Sequence, residues 1–269
     1  MTISADFTSR WFDLERLRDE SFVSRIEFRR ECVSTNDFAL SLPADNQSPT
    51  LVLTDSQTGG RGRGSNQWWA RDGSLTFSLR LMPATFSVSH EKWPLASLTT
   101  AIAVADTLAE FAPDQTIGLK WPNDVFLNGR KICGILVEPP KGSTSELVVG
   151  VGLNVANSLS DAPPEVRTLA TSIFDETDND FSPSDVLLKF LQRFETLIRD
   201  LGNDSLNLNE RWQQQCTLTG HQISLESGDH HIIGLCRGIS DAGAINVETN
   251  GIVRPWYGGI VRRIEEREH

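Results

Sequence analysis

The sequence predicts an α+β protein in which a larger domain is followed by a small β-barrel. Strand-like apolar runs are interleaved with amphipathic helical segments up to about residue 218, the mixture that defines this fold class. From His221 onward short strands recur at regular spacing between turn residues, which is typical of a small barrel. The length of 269 residues accommodates both units. We therefore predict an N-terminal arm at 1–21, a main domain at 22–218 and a barrel at 219–269.

Composition limits the classes of function. The net charge of −11 and the isoelectric point near 4.9 disfavour a non-specific nucleic-acid binder, because such proteins cluster Lys and Arg. The four cysteines are scattered without a C-x-x-C pair, which indicates thiols in a reducing compartment and not disulfides or zinc ligands. The sequence shows no secretory leader and no apolar run of membrane-spanning length. We expect a cytoplasmic protein that contacts neither nucleic acid nor membrane.

Periodicity predicts the elements of the first half. Apolar side chains at helical spacing predict a short helix or arm at 1–21. A second helix begins at Ser34, which has the sequence context of an N-cap. The other predicted elements are strands at 23–33, 50–54 and 73–82, the last of them half-buried, and the longest amphipathic helix at 91–111.

The second half is predicted in the same way. Asn128-Gly129 is a strong hairpin signal and joins predicted strands at 125–127 and 131–137. A glycine-interrupted strand at 147–155, a loop at 157–182 and helices at 183–201 and 208–217 follow. Turns of the barrel are expected at 227–229, 241–243 and 250–251. His230 and His231 beside the first of these turns are interpreted as surface residues, because no third metal ligand lies at a suitable spacing.

The helix start at residue 34 has two interpretations. Ser34 followed by Asp37 three residues later resembles a capping box, which explains the pattern structurally. The adjacent hydroxyls of Ser34 and Thr35 at a helix N-terminus also suit a neutral polar group of a ligand. Both interpretations stay open on these residues alone.

A loop rich in glycine and arginine lies at 57–69 between two predicted strands. Four glycines within residues 59–64 let the backbone approach a ligand closely, and Arg61 and Arg63 add forked donors for phosphate or carboxylate. The loop lacks the Gly-Lys-Ser/Thr ending of a Walker A motif, and a strand follows where a dinucleotide fingerprint requires a helix. It predicts an anion site of another kind.

The segment Lys120-Trp121-Pro122-Asn123-Asp124 places polar and charged residues between two apolar runs. Pro122 disfavours both a helix and a sheet ladder, so the chain should turn there. In the strand that follows, burial of Lys131 is costly unless an anion meets it. The segment is either a solvated hairpin end or a site for an anionic ligand.

Four ordered segments together closely resemble the biotin protein ligases. They are Ser34-Thr35-Asn36; Gln57 with Gly60-Arg61-Gly62-Arg63 and Trp68; Lys120-Trp121-Pro122-Asn123-Asp124 with Lys131 and Gly134-Ile135-Leu136-Val137-Glu138; and Gly150-Val151-Gly152-Leu153-Asn154. A predicted barrel that ends in Arg254-Pro255-Trp256-Tyr257-Gly258-Gly259 follows. The resemblance covers residue 24 to the C-terminus. The ordered set is far more specific than any single member, and the Lys-Trp-Pro-Asn-Asp segment is the most specific member.

The resemblance implies a class II aminoacyl-tRNA synthetase-like catalytic domain, with a mixed sheet and helices on one side, and an SH3-like barrel after it. It implies a biotin–[acetyl-CoA-carboxylase] ligase that forms biotinyl-5'-AMP and pyrophosphate from biotin and ATP. The biotin then moves to a lysine of the biotin carboxyl carrier domain of acetyl-CoA carboxylase or another biotin-dependent carboxylase. ATP with Mg²⁺ is a co-substrate and biotin a substrate, and no bound cofactor or protein-held metal is expected.

The same resemblance assigns roles to residues. Arg63 and Lys131 are the predicted catalytic cations, which screen the repulsion between the biotin carboxylate and the α-phosphate. Asp124 is the third predicted catalytic residue and orients or deprotonates the acceptor amine. The predicted biotin-binding set is Ser34, Thr35, Asn36, Gln57, Arg61, Gly62, Arg63 and Lys131. The predicted ATP-binding set is Arg61, Trp68, Asn123 and Asn154.

The chain departs from the family pattern at two places. Gly64-Ser65-Asn66-Gln67 stands where the family continues with further basic residues, which predicts a loop that is disordered without ligand and closes over the adenylate. The family's C-terminal ATP-contacting Arg has no clean match, because Arg262 and Arg263 are both displaced from its place. Both arginines are therefore left out of the predicted site.

Alternative functions are weighed against the same residues. A lipoate ligase shares the adenylate chemistry, but Gln57 and the Gly-Arg-Gly-Arg and Trp-Pro-Asn-Asp segments favour biotin. A biotin sensor without ligase activity has no need of Lys131 and Arg63, because a pure binder has no developing charge to stabilise. Some family members carry an N-terminal DNA-binding domain and act as repressors; the length and charge of this chain make that role improbable. The sequence leaves monomer and homodimer open.

Overall fold

The computed structural model describes residues 9–43 and 49–264. The first eight residues of the predicted arm lie outside this range, as do the last five residues of the predicted barrel. In the described part of the arm, the expected short helix is confirmed as α1 (Leu14–Asp19), with Asp13 as its N-cap.

A seven-stranded mixed sheet forms the centre of the larger unit. Its strands are β1 (Arg25–Cys32), β2 (Thr50–Gln57), β5 (Ser74–Leu81), β6 (Ile117–Lys120), β7 (Asp124–Leu127), β8 (Arg130–Glu138) and β9 (Leu147–Asn154). They lie in the order β1-β2-β5-β9-β8-β7-β6, in which β1 and β2 are parallel and every other neighbouring pair is antiparallel. Between β2 and β5 the chain forms a two-stranded ribbon, β3 (Gly60–Arg61) with β4 (Gln67–Trp68).

Helices cover both faces of this sheet. After α1 they are α2 (Thr35–Ser41), α3 (Ala96–Phe111), α4 (Pro164–Arg167), α5 (Ile173–Thr177), α6 (Pro183–Gly202) and α7 (Leu208–Gln213), with 3₁₀ turns at Pro83–Phe86 and His90–Leu95. Phe77 of β5 contacts Phe190 of α6, with ring centroids 5.2 Å apart, whereas the neighbouring Ser78 bonds Asn36 of α2. Because successive strand residues point to opposite faces, α2 and α6 lie on opposite sides. The expectation of helices on one side only was therefore wrong.

Several predicted elements differ from the observed ones. β5 was expected to be half-buried, but all eight of its residues are buried, because α2 covers the face that the alternation assigned to solvent. The helix expected at 91–111 begins as a 3₁₀ turn around Pro94 and becomes α3 only at Ala96. The longest described helix is α6, with 20 residues. The expected loop at 157–182 contains the short helices α4 and α5.

A five-stranded antiparallel sheet forms the C-terminal unit. Its strands are β10 (Gln222–Ser227), β11 (His230–Ile239), β12 (Ile245–Thr249), β13 (Ile252–Trp256) and β14 (Ile260–Arg263), in the order β13-β12-β11-β10-β14. The three predicted turns are confirmed between consecutive strands. His230 and His231 are exposed in β11, and the described residues contain no group of His, Cys, Asp and Glu that would hold a metal ion.

The two units share a continuous apolar core, which extends from Phe12 to Val261. Trp121, at the end of the segment singled out above, is buried and donates its indole N–H to the carbonyl of Gly243 at 2.9 Å. The peptide bond between Trp121 and Pro122 is cis. The hydrogen bond from Trp121 to Gly243 fixes the C-terminal unit beside the turn between β6 and β7. The predicted domain limits themselves remain predictions.

The cysteines of the structure are free thiols. Cys133 and Cys236 are buried, and burial raises the pKa of the Cys236 thiol to about 11. The expectation of unpaired thiols is thus confirmed, whereas the cellular compartment stays a prediction. No helix in residues 9–43 and 49–264 has the length and apolar character needed to cross a bilayer.

Candidate active site

A cavity of about 750 Å³ opens on the face of the sheet that carries α2. Its walls are the first turn of α2, the β3–β4 ribbon, the turn between β6 and β7, the middle of β8 and β9, and the start of β14. Every predicted site residue except Asn154 lines it: Ser34, Thr35, Asn36, Gln57, Arg61, Gly62, Arg63, Trp68, Asn123, Asp124 and Lys131. Segments that are up to about 230 residues apart in sequence, from Ser34 to Arg262, therefore meet in one place.

Helix α2 presents its first residues to one end of the cavity. Ser34 is the N-cap, and its Oγ accepts a hydrogen bond from the N–H of Asp37 at 3.3 Å. The N–H of Thr35 donates to Gln57 Oε1 at 2.9 Å, and the Thr35 hydroxyl lies 3.3 Å from the same oxygen. The two interpretations of Ser34 are thus compatible, because this residue both caps α2 and lines the cavity.

Ser78 of β5 connects the polar groups at this end. Its Oγ donates to Asn36 Oδ1 at 2.7 Å and lies 2.9 Å from Thr35 Oγ1. Asn36 Nδ2 in turn donates to Glu138 Oε2 at 2.9 Å. Gly150 lies beneath this amide, where a Cβ would overlap it. The result is a fixed array of neutral donors and acceptors, which suits an amide- or urea-like group of a ligand.

Arg61 holds the glycine-rich loop against the sheet. Its guanidinium forms a bidentate pair with Glu138, at 3.0 and 2.7 Å, and also lies 2.8 Å from Asp37 Oδ1. The hydrogen bond to Glu138 raises the pKa of Arg61. Burial raises the pKa of Glu138, but the hydrogen bonds from Arg61 and Asn36 outweigh it, so that the net pKa is lowered. The guanidinium is therefore engaged with carboxylates and does not stand free to meet a phosphate.

The indole of Trp68 lies on a floor of glycine. Gly134 and Gly152 are cross-strand partners in β8 and β9. A Cβ on Gly152 would stand 2.6 Å from Trp68 Nε1, and one on Gly134 would stand 3.4 Å from the indole ring. Trp68 Nε1 is buried without a hydrogen-bond partner among the described residues. The ring thus divides the cavity from a second one behind it.

That second cavity has a volume of about 570 Å³ and shares Gln57, Gln67 and Trp68 with the first. Its walls are aromatic and loop residues, including Trp69 and Pro163. Arg71 packs over the ring of Trp69, 5.0 Å from its centroid. Trp69 gives this mostly polar wall a flat surface that suits a planar ring system.

Cations gather at the other end of the main cavity. Lys131 Nζ lies 2.6 Å from Asp124 Oδ1, which meets the requirement that an anion accompany this lysine. Burial lowers the pKa of Arg63, although attraction to Asp124 raises it. Burial also lowers the pKa of Lys120; Asp124 opposes this, and the nearby charges of Lys131 and Arg262 lower it further. Among the described residues, Arg63, Lys120, Lys131 and Arg262 line the cavity together with one carboxylate, that of Asp124, and such an excess of positive charge attracts a polyanion.

Lys120 and Arg262 were not among the predicted site residues. Lys120 stood within the most specific motif, so the signal was present in the sequence. Arg262 is in β14 and reaches the cavity together with Gly259, whose carbonyl oxygen lies 3.4 Å from Arg63 Nη1. Arg262 was left out of the predicted site because it is displaced from the position of the family's C-terminal arginine. The structure shows that the second unit supplies this cation to the cavity.

The two asparagines of the predicted ATP-binding set form hydrogen bonds with other groups of the protein. Asn123 lines the cavity, but its Nδ2 donates to the carbonyl of Ile135 at 2.7 Å. Asn154 is buried, donates to the carbonyl of Thr171 at 2.9 Å and accepts from Asn157 Nδ2 at 3.1 Å. The structure therefore places Asn154 behind the wall, and its predicted contact with the nucleotide finds no support in this geometry.

Residues 62–66 connect β3 and β4, and the expected disorder of the segment 64–67 without ligand stays a prediction. The N–H of Gly62 donates to the carbonyl of Asn66 at 2.8 Å, and the N–H of Asn66 donates to the carbonyl of Arg63 at 3.2 Å. These bonds close the ribbon of β3 and β4. The ribbon does not need further basic residues. Arg61 anchors β3 through Glu138, and Trp68 anchors β4 on the glycine floor.

The arrangement joins a neutral polar pocket to a cationic one on a shared floor of glycine. A mixed sheet with such a site defines the class of biotin- and lipoate-type protein ligases. The model of the Biotin/lipoate A/B protein ligase family accordingly matches residues 30–154.

Individual relatives narrow the class. The biotin–[acetyl-CoA-carboxylase] ligase of Mycobacterium tuberculosis is 30% identical over 204 residues, which are 75% of this chain and 74% of that protein. The bifunctional ligase/repressor BirA of Bacillus subtilis is 31% identical over 220 residues, which are 80% of this chain but 66% of the relative, so the chain spans just under two thirds of its length. The structure of biotin protein ligase from Aquifex aeolicus in complex with biotin and ATP matches with a TM-score of 0.76 at 27% identity, covering 90% of this chain and 100% of that one. The chain belongs to the biotin protein ligase family.

Proposed function

We propose that the protein is an ATP-dependent biotin protein ligase. It activates biotin as biotinyl-5'-AMP with release of pyrophosphate, and then transfers the biotinyl group to a lysine of a carboxylase carrier domain. The observation that carries the proposal is the polarity of the main cavity. Neutral donors and acceptors fill one end, and Arg63, Lys120, Lys131 and Arg262 gather at the other.

The neutral end suits the ureido ring of biotin. Ser34, Thr35, Asn36 and Gln57 offer hydroxyl and amide groups without a net charge, as a urea group requires. The thioether side of the ring would lie against the glycine floor and the indole of Trp68. In this arrangement the valerate chain would extend toward the cations.

The cationic end suits the first half-reaction. The carboxylate oxygen of biotin attacks the α-phosphorus of ATP, the bond to the β-phosphate oxygen breaks, and pyrophosphate leaves with its electron pair. Both reactants are anions, so Lys131 and Arg63 lower their repulsion and stabilise charge that builds up on the phosphoryl oxygens. Lys120 and Arg262 would hold the departing pyrophosphate. The second cavity, with Trp69 on its wall, would take the adenine base.

Mg²⁺ enters this scheme as part of the co-substrate. Asp124 is the single carboxylate lining the cavity within residues 9–43 and 49–264, and Lys131 already pairs with it. This donor set does not fit a metal site held by the protein. The ion would be carried by the phosphates of ATP, which is how Mg²⁺ is commonly bound.

The second half-reaction needs an acceptor amine. The lysine nitrogen attacks the carbonyl carbon of biotinyl-5'-AMP, an amide bond forms, AMP leaves, and the amine proton is lost. The ordinary pKa of a lysine is about 10.4, so the amine needs help to lose its proton near neutral pH. Asp124 is our candidate for this help. The acceptor would be a carrier domain of acetyl-CoA carboxylase, as the name of the Mycobacterium tuberculosis relative says of that protein.

The test is pyrophosphate release by the purified protein with MgATP and either biotin, lipoate or neither, and without acceptor. Release that depends on biotin is the expected result. Biotin binding without release would mean a sensor, and release with lipoate alone would assign the neighbouring activity of the same family.

Lys131→Ala tests the role of the cationic end. We expect adenylate formation to fall by at least about a hundredfold, because a charge aimed at the transition state is removed. The melting temperature should change little. Unchanged turnover would remove Lys131 from the mechanism.

A further inference from the structure

Glu176 of α5 links two segments that flank Lys131. Its Oε1 accepts from the Thr171 hydroxyl at 2.6 Å and from Arg130 Nη2 at 2.6 Å, and its Oε2 accepts from Asn128 Nδ2 at 2.7 Å. Its side chain is only 10% exposed. Burial raises the pKa of Glu176, but these three hydrogen bonds and the charge of Arg130 outweigh it, so that the net pKa is lowered. The carboxylate is thus ionised and fully engaged.

The partners of Glu176 hold the backbone of Lys131 from two directions. Arg130 precedes Lys131 in β8. On the other side, the N–H of Lys131 donates to the carbonyl of Leu169 at 2.8 Å, and the N–H of Thr171 donates to the carbonyl of Lys131 at 2.9 Å. The segment 169–171 therefore acts as a short parallel strand beside Lys131.

Lys131 needs this support because the regular ladder is interrupted there. The pairing of β7 with β8 shifts register between Val125 and Phe126, so that Cys133 faces Val125 while Lys131 faces Phe126. Ile132 is left as an extra residue, which is a β-bulge. A bulge re-aims the neighbouring side chain and weakens its local pairing, so the direction of Lys131 depends on the segment 169–171.

We propose that Glu176 is a positioning residue for Lys131. It fixes the Thr171 side of the added strand and the Arg130 side of β8 at once, and so sets the place of the ammonium relative to Asp124 and the cavity. No contact between Glu176 and the ligands is involved, since Glu176 does not line the cavity. This inference rests on the proposed function, in which Lys131 stabilises the transition state of adenylate formation.

The test compares Glu176→Ala, Glu176→Gln and Thr171→Val in the full chain. Thr171→Val removes only the buried hydroxyl that bonds Glu176, so it carries the test if Glu176→Ala does not fold. The control is Asp106→Ala, which breaks a half-exposed carboxylate–arginine pair with Arg211 at 2.6 Å, away from the cavity. Active sites are counted from the pyrophosphate burst, and kcat and KM are then measured per active site for biotin and ATP.

Glu176→Ala should lower kcat per active site by about tenfold and leave the KM for biotin within about twofold, because misplacement acts on the chemical step. Thr171→Val should lower kcat by about threefold, and Glu176→Gln should recover part of the loss because it keeps an acceptor for Thr171. Asp106→Ala should change the melting temperature alone. A kcat per active site in Glu176→Ala and Thr171→Val equal to that of the control would overturn the inference. Wild-type protein that releases no pyrophosphate with biotin would instead refute the proposed function.

Discussion

The glycines beneath Trp68 show how single residues determine the shape of the site. Gly152→Ala would place a methyl group 2.6 Å from Trp68 Nε1. Gly134→Ala would place one 3.3 Å from the end of the flexible Lys131 side chain and 3.4 Å from the indole ring, contacts that small shifts relieve. We expect Gly152→Ala to weaken biotin binding by about tenfold or more, because the indole has to leave its floor. Gly134→Ala is the matched control and should weaken biotin binding less than threefold. Calorimetric titration with biotin measures both; equal effects would contradict the assigned position of the indole.

We expect Lys120 to make nucleotide binding dependent on pH. Its pKa is lowered from the ordinary value of 10.5, mainly by burial, and a bound polyphosphate would raise it again. Above the lowered pKa, binding must take up a proton, so we expect the KM for ATP to rise as the pH increases toward 10.5. In Lys120→Met the KM should be higher at neutral pH and this rise should disappear. Lys189→Met, which changes an exposed lysine of α6, is the control; a rise that persists in Lys120→Met would refute the assignment.

The same pKa shift affects stability with a defined sign. The folded pKa of Lys120 lies below its unfolded value, so between the two the unfolded chain binds more protons. The free energy of unfolding therefore increases with pH across that window. The site thus retains an unfavourable charge in the free protein, and a bound anion would relieve it.

At the scale of elements, α2 is held by a buried ion pair. Arg80 of β5 forms a bidentate pair with Glu146, at 3.0 and 2.9 Å, and donates to the carbonyls of Ala39 and Leu42 at the C-terminal end of α2. Both charged side chains are less than one tenth exposed. The opposite end of the helix carries Ser34, so the pair fixes the residues that face the ligand.

Glu146→Ala should lower the free energy of unfolding by about 3 kcal/mol, because it leaves a buried guanidinium charge without its carboxylate. We also expect weaker biotin binding, since the C-terminal end of α2 loses its anchor. Urea denaturation and biotin titration measure the two effects. Glu195→Ala in the exposed pair with Arg199 serves as the control and should cost no more than about 0.5 kcal/mol. A cost for Glu146→Ala as small as that would contradict the role given to the buried pair.

At the scale of the whole molecule, the C-terminal unit completes the site. Arg262 of β14 lines the cavity, with its exposed guanidinium 3.7 Å from Glu226 Oε1. Trp121 is hydrogen-bonded to Gly243 across the boundary between the units. We expect Arg262→Ala to raise the KM for ATP by about tenfold and leave biotin affinity unchanged, because a cation near the phosphates is lost. Arg263→Ala changes the neighbouring residue, which does not line the cavity, and should have no such effect. If both substitutions raised the KM for ATP equally, the effect would come from the net positive charge and not from the position of Arg262.

Local chemistry made much of the fold predictable from sequence. The Asn128-Gly129 turn, with φ of 50° and 77°, joins β7 to β8 as its residue types require. The Ser34 cap, the strands on either side of the glycine-rich loop and the barrel turns are likewise set by short-range preferences. Lengths and burial were less predictable: β5 alternates in sequence yet is buried on both faces, because its partners come from distant parts of the chain.

The sequence by itself determined the residue types of the site, since a lysine, an arginine loop and glycines at fixed spacings require particular chemistry. It could not determine which partners these groups meet in the folded protein. Arg61 and Lys131 are both predicted cations, but the structure pairs Arg61 with Glu138 and Asp37 and turns Lys131 into the cavity beside Asp124. Only the tertiary structure decides this, because the free energy of a charge depends on its burial and on partners that lie far away in sequence.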